Sequence, residues 1–376
     1  MTTRELLSES VESARLREGA AFARFSARAG GGIVLYGAGR LGRKAASALR
    51  QGGVTPLAFA DNAPELDGTA LDGIPVCSLP EAARRWREEA LFAVSTFRPD
   101  QGGVGARLQE LADLGCRQAT TFLPIAWKCP GVLPHFGADL PATLLMHAAD
   151  MARVASLWCD DISRETFRGE LAWRLRADFA QAPDPRPDQY FPRDILRPDP
   201  GESFLDGGAF DGDTLRHAPW PFSRVLAVEP DPASAARLRA MGGPGLHVCE
   251  AMLGRTRGVA RFNGTGTMAS RRSESGALEV PVTTIDELAA GERPTFIKLD
   301  VEGDELEALE GARETLKRSR PVVAVCLYHR PEDLWTIPLY LSQVLPGHRL
   351  YLRVHAWDGF ELVAYAIPPE RCQQPG

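Results

Sequence analysis

The seven cysteines, at 77, 116, 129, 159, 249, 326 and 372, include no C-x-x-C pair and no regular spacing. That excludes a zinc framework or a disulfide scaffold and predicts reduced thiols in a cytoplasm. No apolar run approaches the roughly 20 residues that a membrane-spanning helix needs. The opening stretch mixes Arg4, Glu5, Glu9, Glu12 and Arg15, so it does not read as a signal peptide. Lysine is scarce: only Lys44, Lys128, Lys298 and Lys317 stand among 43 basic residues, and the net charge is -6. Nucleic-acid binding needs concentrated cations, which this balance does not supply. The expectation is therefore a soluble cytoplasmic protein without a nucleic-acid partner or a membrane span. A hydrophobic content of 44% over 376 residues is globular and exceeds one typical core, which predicts two domains.

The first of these is expected over 1–130. Leu6, Leu7, Val11, Ala14, Phe22 and Phe25 recur at helical spacing. Ile33–Tyr36 then reads as a strand running into the turn Gly37-x-Gly39-x-x-Gly42, which opens a helix to about Arg50. A second strand, 55–60, ends at Asp61, and runs at 91–94 and 119–123 make about four strands. A strand, a glycine turn, a helix and a strand-end acid are how a Rossmann-like fold holds a nucleotide, with the acid on a ribose. Gly37, Gly39, Gly42 and Asp61 are therefore candidate nucleotide-binding residues. No hydride-transfer pair such as Tyr-x-x-x-Lys follows, so binding without redox chemistry is expected. An NAD(P)-dependent enzyme is the weaker alternative.

Residues 131–200 read as a linker. Helical spacing within 139–181 predicts two helices, and prolines at 183, 185, 187, 192, 198 and 200 forbid a helix after them. Gln189-Tyr190-Phe191 lies inside this stretch, placed to close over a ligand site that follows it. Residues 201–370 alternate strand and helix, which points to a mostly parallel α/β sheet. Strands are expected at 203–205, 224–228, 246–249, 259–262, 279–283, 295–299, 321–327, 349–355 and 361–366, the last two joined by a hairpin at Asp358-Gly359. One helix is expected over 305–318.

Two constellations in this half carry chemistry. Asp206-Gly207-Gly208-Ala209-Phe210-Asp211-Gly212 follows a strand and is answered by Val225–Glu229, a second strand ending in an acid. The turn lacks G-x-G-x-x-G and begins with an acid, which favours a nucleoside ligand without a pyrophosphate. S-adenosylmethionine is the commonest such molecule, and Glu229 can accept both ribose hydroxyls. The second constellation lies past strands 295–299 and 321–327, at the sheet edge where α/β proteins bind ligands. Asp300 and Glu302 there can serve as base, as ligands of a divalent ion such as Mg²⁺, or as anchors for a hydroxyl. His329 can take a proton from an acceptor; otherwise it pairs with Glu332 or Asp333. Asp304 and Glu305 read as complements of a helix dipole. Thr284-Ile285-Asp286-Glu287 reads as a helix cap, and Asn263–Arg272 as a surface loop or a lid.

These motifs, with Val228-Glu229-Pro230, Thr284–Leu288, Ile297–Ala312, Tyr328–Trp335 and Leu350–Arg353, resemble the FkbM family of methyltransferases over about 140–368. The resemblance implies a Class I methyltransferase fold with a C-terminal antiparallel hairpin and S-adenosylmethionine as donor. It also implies transfer to an oxygen of a sugar or related hydroxylated small molecule. Asp206, Gly208, Phe210, Gly212 and Glu229 are its donor-binding positions, although Phe210 stands where the general pattern has a glycine. The first domain resembles the sugar-nucleotide-binding N-terminal domain of bacterial sugar acyltransferases, which implies a nucleotide-sugar there. Asp300, Glu302 and His329 are the expected catalytic residues. Whether Asp300 and Glu302 hold a metal, and whether the chain forms an oligomer, the sequence leaves open. A catalytically silent nucleotide-binding protein is the rival reading.

Overall fold

A computed structural model describes residues 1–97, 101–131, 140–243, 245–263, 271–272 and 276–373. The chain divides into two compact units, one of Met1–Ala152, Thr166–Asp184 and Ala356–Phe360, the other of Arg153–Glu165, Pro185–His355 and Glu361–Gly376.

The first unit is built on a six-stranded sheet of β1 (Ile33–Tyr36), β2 (Ala58–Ala60), β3 (Ala70–Leu71), β4 (Ile74–Cys77), β5 (Leu91–Val94) and β6 (Gln118–Thr121). Their order is β3-β4-β2-β1-β5-β6, and all pairs but β3–β4 are parallel. Every residue of β1, β2 and β5 is buried, as strands covered on both faces must be. Six strands replace the expected four. The extra hairpin turns at Asp72-Gly73, both in the left-handed region, and Pro75 in β4 hides its strand character. The first helical pattern is two helices, Thr3–Leu6 and Val11–Arg28, each capped by a hydroxyl, of Thr2 and of Ser10. The stretch 139–181 holds three helices rather than two: Pro141–Leu145, Ala148–Ala155 and Asp161–Arg176.

The second unit carries a seven-stranded sheet of β7 (Ser203–Gly207), β8 (Arg224–Val228), β9 (Leu246–Cys249), β14 (Phe296–Leu299), β15 (Val322–Cys326), β16 (Arg349–Val354) and β17 (Leu362–Ile367). The order is β16-β17-β15-β14-β7-β8-β9, with only β17 antiparallel to its neighbours. That is the mostly parallel sheet expected from the sequence, closed by the expected hairpin. Asp358 and Gly359 at its tip both take the left-handed conformation that a tight hairpin turn needs. Two expected strands lie elsewhere. Together with β10 (Met252–Leu253) and β12 (Arg271–Arg272), β11 (Gly258–Asn263) and β13 (Leu278–Thr283) form a separate four-stranded sheet. The proposed lid over 264–270 falls outside the described residues. The single helix expected over 305–318 is two, Glu305–Glu310 and Arg313–Ser319. It breaks where Gly311 packs against a neighbouring chain segment: a β-carbon there would lie 2.1 Å from the carbonyl oxygen of Gly254. Phe191, Phe204, Phe222 and Phe296 pack ring on ring beneath β7 and β14. Burial of each such ring contributes roughly 2 kcal/mol.

Candidate active site

The turn after β7 is held by charges from below and by a carboxylate from the side. Asp206 is fully buried, and Lys298 of β14 approaches its Oδ1 to 3.0 Å. The same ammonium donates to the Gly208 carbonyl at 2.7 Å. Burial pushes the Asp206 carboxyl up, against the pull of Lys298, whereas Asp206 and Asp300 overcome burial to raise Lys298. Asp206 thus lies beneath the turn and braces it through Lys298. Gly208 and Gly212 have φ of +77 and +86, and so does Phe210 at +47. Phe210 therefore adopts the left-handed backbone of the glycine it replaces, with Arg237 over its ring at 5.5 Å. Only glycine fits at 208, because a β-carbon would fall 1.8 Å from the carbonyl oxygen of Asp300.

Glu229, at the end of β8, is buried and closes the turn. Its Oε2 accepts the Phe210 amide at 2.9 Å and its Oε1 the Asp231 amide at 2.8 Å. Each oxygen keeps a second lone pair. A nucleoside such as that of S-adenosylmethionine fits this set: a carboxylate for the ribose hydroxyls and a turn stripped of side chain at Gly208.

Beside that turn lies the second constellation. Asp300 and Glu302 follow β14, and Glu302 and Gly303 both have positive φ, at +55 and +102, folding the loop back on itself. His329, just past β15, has a side chain 2% exposed. Its Nδ1 lies 2.8 Å from Oε1 of Glu305, and its Nε2 3.4 Å from Asp300 Oδ1 and 3.8 Å from Glu302 Oε2. Burial disfavours its charged form, but Glu305, Asp300 and Glu302 outweigh burial and push its pKa up to about 10. At neutral pH that makes His329 an imidazolium among carboxylates, with Glu305 against its Nδ1 and its charge also pulling the pKa of Asp333 down against burial. For Asp300, burial is outweighed by Lys298, His329 and a hydrogen bond from Tyr190, and its pKa is lowered. Burial lifts Glu302 to about 7 and Glu361, at the start of β17, also to about 7.

Four further residues take part here in ways the sequence reading did not assign to them, although it expected Gln189-Tyr190-Phe191 to close over the site. Glu305 is fully buried and also accepts the Val301 amide at 2.8 Å, far more than a helix-dipole role requires. Tyr190 donates to Asp300 Oδ2 at 2.8 Å. Tyr328 donates to Glu361 Oε2 at 3.2 Å, and Cys326 Sγ lies 3.6 Å from the Tyr190 hydroxyl. Ligand atoms of Asp300, Glu305 and His329, and of Asp300, Cys326 and Glu361, lie close enough to share an ion. In both sets the atoms already face each other or a tyrosine hydroxyl, and in the first the positive centre is the imidazolium itself. Glu302 belongs to neither set.

In the first unit the glycine turn repeats the logic of the second. Asp61, past β2, accepts the Ala38 amide at 2.7 Å on one oxygen and the Ala63 amide at 3.0 Å on the other. Gly37 (φ +118) and Gly42 are fixed by packing, since β-carbons there would meet Thr96 Cβ at 2.7 Å and the Gly37 carbonyl oxygen at 1.8 Å. Gly39 has nothing within 4 Å of where a β-carbon would stand. It caps the helix Arg40–Gln51 without a side-chain bond, and that helix has no acid in its first turn. Elsewhere, Glu287 donates its amide to Thr284 Oγ1, as a helix cap does, and Trp158 and Trp173 are buried in the core. No described helix is long and apolar enough to cross a membrane.

The comparisons with known proteins come to the same place. Residues 206–355 match the family described as the methyltransferase FkbM domain. The fold is similar to the crystal structure of methyltransferase FkbM from Methylobacillus flagellatus KT, with a TM-score of 0.73 and 20% identity over 95% of this chain and 100% of that one. UDP-D-quinovosamine 4-dehydrogenase from Vibrio fischeri aligns over 24% of this chain and 75% of its own at 24% identity, with a TM-score of 0.21 that says nothing of the fold. No curated protein matches the sequence. Sheet order, motifs and domain match agree: over 206–355 this chain is similar to the methyltransferase FkbM domain.

Proposed function

We propose that the protein transfers a methyl group from S-adenosylmethionine to a hydroxyl oxygen of a sugar or related hydroxylated small molecule. A cytoplasmic setting is consistent with seven cysteines that are all free. One observation supports the reading most: the Gly208 backbone and the Asp300 carbonyl are in such contact that no β-carbon fits between them. A nucleoside on the glycine turn therefore ends beside the carboxylates. The donor supplies an electrophilic methyl on a sulfonium. In this reading Glu229 binds its ribose, Gly208 and Gly212 admit it, and Lys298 with Asp206 keeps the turn in place.

Asp300 takes the acceptor's proton. As the acceptor oxygen gains the methyl its proton becomes strongly acidic, so a carboxylate of lowered pKa suffices. Glu302 holds the hydroxyl as a second acceptor, and positioning of this kind supplies several kcal/mol of the barrier. His329, already protonated, neutralises the carboxylates and is not itself the base. The test is turnover of labelled donor with a panel of nucleotide sugars, glycans and hydroxylated small molecules, with and without EDTA. Activity lost to EDTA and restored by Mg²⁺ would place an ion on these carboxylates instead. Absence of donor binding by calorimetry would reject the reading in favour of a silent scaffold.

For the first unit we propose nucleotide or nucleotide-sugar binding at Gly37, Gly39, Gly42 and Asp61, without redox chemistry. Gly39 supports it, because no packing in the unit requires a glycine there. Oxidation or reduction of any substrate at the expense of NAD(P) would overturn it.

A further inference from the structure

The stretch 182–201 has no helix, yet its centre is among the most firmly fixed backbone in the second unit. Asp188 and Tyr190 both have positive φ, at +60 and +63, a conformation that non-glycine residues hold only when their surroundings impose it. Three consecutive side chains impose it here. Gln189 donates to the Glu361 carboxylate, Tyr190 is buried, and Phe191 enters the aromatic core against Phe204 and Phe296.

The hydrogen bonds around Tyr190 admit one direction only. His355 Nδ1 lies 2.9 Å from the Arg186 carbonyl, which can only accept, so that nitrogen carries the proton. Burial lowers His355 to about 4, so the ring is neutral and its Nε2 is an acceptor. The Tyr365 hydroxyl, 2.8 Å away, must donate to it and keeps its oxygen for the Tyr190 amide at 3.0 Å. The network locks residues 186 and 190 to the β16–β17 hairpin and brings the Tyr190 hydroxyl to Asp300, with Cys326 Sγ 3.6 Å away. That hydroxyl donates to Asp300 Oδ2, turning Oδ1 toward His329. Burial and the Asp300 charge keep the phenol protonated, so it stays a donor at any working pH. Lys298 sits over the same ring at 5.2 Å.

We propose that residues 186–191 form a strap whose Tyr190 is a positioning residue, its hydroxyl fixing the Asp300 carboxylate for proton removal from the methyl acceptor. This rests on the methyl-transfer reading above. The groups facing Asp300 are Lys298 on the strand before it, Asp206 on β7, His329, Tyr328 and Cys326 at and just past the end of β15, Glu302 on its own loop, Glu305 in the helix that follows, Glu361 just before β17, and Tyr190. Of these, Lys298, His329, Tyr190 and Cys326 hold it ionised, and the Tyr190 hydroxyl, 2.8 Å from Oδ2, can be deleted without changing a charge.

Tyr190→Phe removes that hydroxyl alone. Expected are donor affinity and thermal midpoint close to wild type, kcat about tenfold lower, and an acid limb of the pH–rate profile moved to higher pH. In the resting protein, ¹³C-carboxyl NMR should show the Asp300 midpoint rising. Tyr365→Phe, which frees the Tyr190 amide and His355, should reproduce the kinetic effect. The double variant should be no worse than the poorer single one, because both act through the same contact. A Tyr190→Phe enzyme with wild-type kcat and pH profile overturns the positioning role, whatever the acceptor proves to be, and so does an unmoved Asp300 midpoint. Wild-type protein that binds donor but methylates nothing overturns the functional reading and the role with it.

Discussion

Glu305 Oε1 and His329 Nδ1 stand 2.8 Å apart, both buried, and this pair fixes the charge of the whole cluster. Glu305→Gln keeps an oxygen for the Val301 amide but withdraws the charge, so the histidine should titrate well below about 10. Imidazole NMR across pH would read it directly. A midpoint that stays put would mean that Asp300 and Glu302 alone sustain the imidazolium.

The same histidine sets a pH dependence of stability. Its folded pKa of about 10 lies above the ordinary 6.5, so its stabilisation is complete below 6.5 and is lost as pH rises toward 10. Thermal midpoints measured from pH 6 to 10 should fall, and His329→Gln should both lower the midpoint at pH 6 and flatten the slope. Loss of this side chain therefore touches the fold, since it leaves the carboxylates of Asp300 and Glu305 without their counter-charge.

Asp300 and Glu302 should separate in the rate profile. Asp300→Asn should cut methyl transfer about a hundredfold or more, as loss of an acid–base group does, with donor binding intact. Glu302 is raised to about 7 and is largely protonated below that value. Turnover that persists at pH 5.5 assigns the proton to Asp300. A limb near 7 that vanishes in Glu302→Gln would move the role to Glu302.

Two glycine substitutions should behave oppositely. Gly208→Ala places a β-carbon 1.8 Å from the Asp300 carbonyl oxygen at φ +77, and should cost at least about 2 kcal/mol of stability. Gly39→Ala meets nothing within 4 Å and should leave the thermal midpoint almost unchanged. If the first unit binds a nucleotide there, its affinity, read by calorimetry with a nucleotide-sugar, should nevertheless fall.

Glu229→Gln should weaken donor binding by about ten- to hundredfold, the worth of a hydrogen bond to a charged group. It keeps one carbonyl oxygen where two amides and two ribose hydroxyls now compete. Undiminished affinity would move the ribose elsewhere.

The sheet and its edge were legible because apolar runs such as Val322–Leu327, and Phe296–Leu299 with Lys298 alone inside it, give way to polar loops. Asp300, Glu302 and His329 could be placed at one edge for that reason, and the structure brings them together. Glu305 was illegible because the first turn of a helix is where an exposed acid is ordinarily found; its burial depends on the fold, not on its neighbours in sequence. Tyr190 and Glu361 reach Asp300 from 110 residues before and 61 after it, a proximity no local pattern encodes. The helix break at Gly311 did have a signal, a glycine inside a helical run, but what requires the glycine is the distant Gly254 carbonyl. The β3–β4 hairpin was hidden by Pro75, although Asp72-Gly73 announced the turn.

Phe210 and Asp231 give their amides to Glu229, a group of the chain itself. The ordering of this turn is thus settled when the chain folds and not when the nucleoside arrives. Association should then be limited by encounter, with little conformational entropy lost and single-phase binding kinetics. Amide exchange at Phe210 and Asp231 should be slow in the free protein and barely slower in the complex.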